Sequence, residues 1–119
     1  MEQSTDSIFV SVKKHLGASE YDTGFDQDII NFINTQILRL YHLGVGNNPA
    51  FTISGPEETW DDFITDKSLQ STAREFIFLK VRRRFDPSAS PTVDAAIQDA
   101  IAEDEFTLNI EAERSASGS

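Results

Sequence analysis

Between residues 25 and 43 the apolar side chains recur three and four positions apart: Phe25, Ile29, Phe32, Ile33, Ile37 and Leu40 make one stripe, widened by Ile30 and Leu43. A stripe of that period can be buried only if the segment is an α-helix laid against a core. Its ends agree, with Asp22 or Thr23 to cap the start, Asp26 and Asp28 in the first turn and Gly44 just past Leu43. A second stripe, Leu69, Ala73, Phe76, Ile77 and Val81, is interrupted only by Lys80 and Arg84 and predicts a helix over residues 66–85, about 30 Å long. Asp86 and Pro87 stop it. Two such helices need each other, and whatever else the chain does must fit around that pair.

Shorter signals fill in the remainder. Ser7 or Asp6 caps a first helix carrying Ile8, Val12 and Leu16, which Gly17 ends; residues 18–24 are a polar connector. Acids open the stretch 57–64, and Trp60, Phe63 and Ile64 follow at helical spacing, so Trp60 reads either as core or as an interface anchor. Ser90 and Pro91 start a last helix with a narrow stripe of Val93, Ile97, Ala100, Ile101 and Leu108. Residues 44–56 hold three Gly and two Pro, too many for a helix, and read as an ordered protruding loop that carries Phe51 and Ile53. Residues 1–5 show no period and read as a flexible start, and residues 109–119 are small or charged. The expectation is an all-α fold: a small helical bundle of four or five helices over residues 6–108, with a protruding loop and an extended C-terminal arm over residues 109–119. At 119 residues, one domain with a real core is the natural size.

Composition narrows the chemistry. There is no cysteine, which removes disulfides, thiolate metal sites and thiol catalysis. No apolar run approaches membrane-spanning length and the polar start lacks the pattern of a signal peptide, so a soluble protein made in the cytoplasm is expected. The two histidines, His15 and His42, each fall at a helix C-terminus, where the dipole favours an imidazolium, and in no metal-binding spacing. Glu57, Glu58, Asp61 and Asp62 are a candidate cation site or carboxylate pair, but acids are expected in a first helical turn on dipole grounds alone. The GVG tripeptide at 44–46 lacks the Lys and Ser/Thr of a phosphate loop. No catalytic residue, cofactor or metal is expected.

The charge is unevenly spread. Acids outnumber bases 20 to 10, yet residues 67–84 hold six bases against Glu75 alone, and residues 86–113 hold eight acids and no base. One reading sets the basic run of one subunit against the acidic run of the next; the plainer one has the arginines complementing a helix C-terminus and the acids simply solvated. A third has Lys80, Arg82, Arg83 and Arg84 gripping DNA, as in a small packaging-associated regulator, although three adjacent arginines point around a helix and the net charge of −10 opposes it.

Several blocks carry a resemblance when taken in order: VKKHLG at 12–17, FDQDIINFINTQILRLYHLGVG at 25–46, FTIS at 51–54, TWDDF at 59–63, FIFLKVRRRFDPSAS at 76–90 and LNIEAE at 108–113. Weak singly and specific together, they make the chain similar to the head-tail connector proteins of long-tailed bacteriophages, also called adaptor, head-completion or DNA-packaging proteins. The resemblance implies a non-enzymatic virion component at the head-tail interface, a dodecameric ring beneath the portal that extends the DNA channel. Its partners would be other copies of itself, the portal, the next neck or tail-completion protein, and viral DNA that passes without specific binding. The loop residues Phe51 and Ile53, the basic residues Lys80, Arg82, Arg83 and Arg84, and the arm residues Leu108, Ile110, Glu111 and Glu113 are then the expected subunit or portal contacts.

Overall fold

The computed structural model of the protein describes residues 7–17, 23–46 and 51–118, with side chains up to residue 114. The expected flexible start at 1–5, most of the polar connector, Asp6 and Asp22 as caps and the loop tip at 47–50 lie outside the described residues. Five helices follow one another: α1 (Ile8–His15), α2 (Asp26–His42), α3 (Trp60–Phe63), α4 (Lys67–Phe85) and α5 (Pro91–Gly118). The fold is all-α, as the periodicity predicts, and no strand is formed among the described residues.

Helix α4 is the centre, since α1, α2, α3 and α5 all pack on it. Asp66 caps it by accepting hydrogen bonds from the Ser68 and Leu69 N–H groups, and Ala73, Phe76, Ile77 and Val81 are fully buried. Trp60 is wholly enclosed and so is core; its indole N–H, which would be costly to bury unpaired, donates to Ser11 Oγ of α1 at 2.9 Å. Ser7 caps α1, and Thr59 and Asp62 form a reciprocal capping box on α3. A salt bridge of 2.9 Å between Lys13 and Asp26 ties α1 to the start of α2.

Three expectations change. Helix α2 has no side-chain cap and begins at Asp26, which leaves Phe25 at its entry, 62% exposed, while Phe32 is half-buried and meets Phe85 edge-on at 5.8 Å. Both rings flank the stripe rather than sitting in it. The loop residues Phe51 and Ile53 do not project: Asn34 of α2 donates to the Ile53 carbonyl at 3.0 Å and accepts from the Ile53 N–H at 2.8 Å, pinning that side chain in the core, and Phe51 stacks on Phe63 at 5.4 Å. The residues expected to form an extended arm instead continue α5 to Gly118. Nothing between Pro91 and Gly118 breaks a helix, and Leu108 and Ala112, four residues apart, bury against the core. Leu108 is therefore spent inside its own subunit, whereas Ile110, Glu111 and Glu113 ride on the helix surface. Gly44 makes room for this: at φ 95°, it would place a Cβ 3.1 Å from that of Ala112.

The α4–α5 seam mixes attraction and cost. Arg83 makes two hydrogen bonds to the Asp94 carboxylate, at 3.0 and 3.3 Å, which Gln98 also holds at 2.8 Å. Further along, burial raises the Asp104 carboxyl to about 7, helped by a hydrogen bond with Glu75, by the charge of Glu75 and by that of Glu103.

Two predictions follow from this packing. Phe76→Ala should cost about 3–5 kcal/mol and Leu108→Ala about 2–5 kcal/mol, as cavities do, whereas Phe32→Ala, half-exposed, should cost roughly 1 kcal/mol; equal denaturant midpoints for the three variants would contradict the packing. The folded chain also binds the Asp104 proton more tightly than the unfolded chain does, so this group's contribution to stability falls as pH rises from its ordinary value of 3.8 to about 7, then levels off. Asp104→Asn should accordingly gain on the wild type across that interval in pH-dependent denaturation, and a constant difference at every pH would show the carboxyl to be ordinarily ionised.

Candidate functional site

The basic end of α4 does not present one face. Arg83 is committed to Asp94 of α5, Arg84 lies over the Phe32 ring of α2 at 5.9 Å, and Lys80 lies over Phe76 at 5.8 Å. Burial lowers the Lys80 ammonium below its usual range, the charges of Arg39 and Arg83 add to that, and Glu105 opposes it. Arg82 points outward beside α1, where burial of the His15 ring and then the Arg82 charge push that imidazole below its usual value. His15 stacks on Phe78 at 4.5 Å, so its environment disfavours the imidazolium that its helix-end position led us to expect. Four bases that look contiguous in sequence thus diverge toward three different helices, an arrangement ill-suited to tracking a phosphate backbone.

Charge complementarity is partly used up within the subunit. Besides Arg83 and Asp94, Arg39 of α2 reaches Glu105 of α5 at 3.3 Å. These exposed pairs orient α5 more than they stabilise it.

Of the acids at 57–62, Glu58, Asp61 and Asp62 serve local structure. Burial alone would raise the Glu58 carboxyl, but hydrogen bonds from the Ser54 backbone and hydroxyl hold it below its usual value. Asp61 accepts from Lys67 at 2.6 Å and from Gln70 at 2.8 Å, which lowers its carboxyl, and Asp62 is taken by the capping box. They face different partners, and no group of potential metal ligands converges among the described residues.

What remains open on the surface is of two kinds. A furrow of three adjoining hollows, of about 390, 410 and 420 Å³, runs over the α2–α4 seam from Leu16 to Ile101, and Arg84 lines all three. Its floor is aromatic, with Phe25, Phe32 and Phe85, and Lys13, Lys80 and Arg83 stand along its length together with Asp28, Asp86 and Glu105. On the outer side of α5, Phe106 (67% exposed) and Ile110 (38%) lie one turn apart, away from the Leu108 and Ala112 side. Of these Ile110, Lys80, Arg83 and Arg84 were expected at a contact, and Phe106 opens the segment 106–114 that the resemblance assigns to the portal or neighbouring subunits. Its i, i+4 spacing to Ile110 puts Phe106 on the face opposite the buried stripe; Phe25 and Phe32 read as core because the stripe alone does not say where its edge lies.

No helix among the described residues is long and apolar enough to cross a membrane. No curated protein and no solved structure matches the chain. The model of one family, described as phage connector protein, matches residues 8–115, from the first residue of α1 to the last turn of α5. That match takes in every helix and nearly the whole chain: the protein belongs to the phage connector protein family.

Proposed function

We propose that the protein is a structural head-tail connector subunit that assembles, in a ring of twelve on the family resemblance, beneath the portal, extending the DNA channel and joining the filled head to the neck or tail-completion protein beyond it. Besides membership of the connector family, the observation that carries this reading is the separation of unlike, unsatisfied surfaces on one small subunit. Acid-flanked apolar residues lie outside α5, and an aromatic furrow with Arg84 beside each of its hollows lies over the α2–α4 seam. Unlike patches on one chain associate head to tail, and such contacts close into rings when the rotation permits. The net charge of −10 suits a channel lining, because DNA must move past it without sticking. In this reading the last turns of α5, around Glu111, meet the portal, and no catalytic group, cofactor or metal is required.

Negative-stain imaging of the purified full chain, alone and with the portal of its phage, tests the proposal. Rings with a central channel, seated on the portal when it is present, are the expected result. Retardation of duplex DNA that weakens steeply with salt, with no ring in either sample, would overturn it in favour of a DNA-binding regulator acting through Lys80, Arg82, Arg83 and Arg84.

A further inference from the structure

We infer that the ring contact is a knob and furrow between copies: Phe106 and Ile110 on the outer face of α5 seat in the Phe25–Phe32–Phe85 furrow of the next subunit. This rests on the ring reading above and specifies which surfaces meet.

The knob is unusual for this helix. Phe106 and Ile110 are its most exposed large apolar residues apart from Val93 near its start, and their neighbours on the same face at helical spacing are Asp99, Glu103 and Glu113. None of those three acids makes an ion pair among the described residues, so the face is apolar at its centre and acidic at its edge. A partner for it needs an apolar hollow with basic walls.

The furrow supplies the apolar hollow on the same chain: Asp28, Asp86 and Glu105 also line it and Lys13 and Arg83 are held by Asp26 and Asp94, which leaves Arg84 and Lys80 as its open cations. A dry cavity of about 150 Å³ accepts a benzene ring, so a hollow of about 390 Å³ between Leu16, Phe25, Ile29 and Phe85 has room for a phenyl ring and a branched aliphatic side chain. Arg84, which lines all three hollows, has no carboxylate partner among the described residues and is placed to meet an incoming acid. The knob does not fill the furrow of its own subunit. The wall that α5 contributes to the furrow is made by Gln98, Ile101, Ala102 and Glu105; Phe106, one turn past Ala102, stands at its edge but is 67% exposed and lines none of the hollows, and Ile110 lies further round the helix. Each left uncovered in its own chain, the two surfaces fit a second copy. That excess of acid against base, joined to aromatic burial, is the composition of an interface centre with a charged rim.

The absence of native cysteine gives a clean test. Glu103→Cys marks the edge of the knob, and Asn31→Cys the edge of the furrow; both positions are exposed and leave Phe106, Ile110 and the aromatic floor intact. With a short bis-maleimide at a chain concentration of about 1 mM, where a contact of millimolar Kd is half occupied, the double variant should give a ladder of covalent multimers. A mixture of the two single variants should give one mixed dimer, and each single variant alone should stay monomeric. Phe106→Asp placed in the double variant should reduce the ladder about tenfold or more while leaving the melting temperature unchanged, since its side chain is solvent-exposed. Dimers of the Glu103→Cys variant alone, an unaffected ladder with Phe106→Asp, or no ladder at all would overturn the pairing. Imaging of the wild-type chain separates the two levels: rings without a ladder reject this contact and leave the ring, and neither rings nor ladder rejects both.

Discussion

Every other helix is built onto α4, and this requires α4 to bury residues on more than one side while still ending in a run of arginines. The conflict is resolved by using the bases as packing elements. Arg74 spreads over Trp60 at 5.4 Å and over Phe78 at 5.6 Å, Lys80 over Phe76, and Arg84 over Phe32. Long basic side chains of this kind cover apolar surface with their stems and keep their charge near water, so a helix rich in cations can still be central. The acidic surplus elsewhere in the chain offsets the concentration of positive charge there.

Around that helix, irregular segments are held by polar side chains that satisfy backbone groups. Asn34 presents a donor and an acceptor to the single peptide unit of Ile53. Gln70, itself buried, donates to the Ile64 carbonyl at 2.8 Å and to Asp61 at 2.8 Å, closing the turn between α3 and α4. Ser11 satisfies Trp60. Each places a buried polar group opposite its partner, without which a segment bearing Gly and Pro could not lie against a core. The loop expected to protrude is held in this way, for its described residues.

The functional surface follows from what these arrangements leave over. Arg83 and Arg39 are spent orienting α5, and Leu108 and Ala112 dock its far half, which fixes the opposite face of that helix toward solvent. The aromatic residues that α2 and α4 do not need for the core, Phe25, Phe32 and Phe85, line the furrow. In the ring proposed above a subunit is folded alone and adhesive toward its neighbours, and separating these two surfaces on one chain meets both demands without a large apolar patch that would make the monomer aggregate.

The residue pattern left Trp60 open between core and interface and did not single out the capping box of Thr59 and Asp62, but it sufficed for the all-α class, the extents of α2 and α4 to within a residue or so, and the caps at Ser7 and Asp66. These depend on neighbours three or four residues away, which periodicity and capping chemistry report directly. The connector family was legible too, from ordered blocks along the chain. Tertiary structure alone decided the fate of Phe51, Ile53 and Leu108. Ile53 is settled by an asparagine 19 residues upstream, and the continuation of α5 by burial of Leu108 and Ala112, the latter beside Gly44 at the far end of α2. Which arginine faces which helix likewise depends on how α1, α2 and α5 are arranged around α4, since a run of like charges carries no local signal of its partners. Contacts between distant segments are chosen by shape and by the satisfaction of buried polar groups, and neither is written in the spacing of residues along one helix.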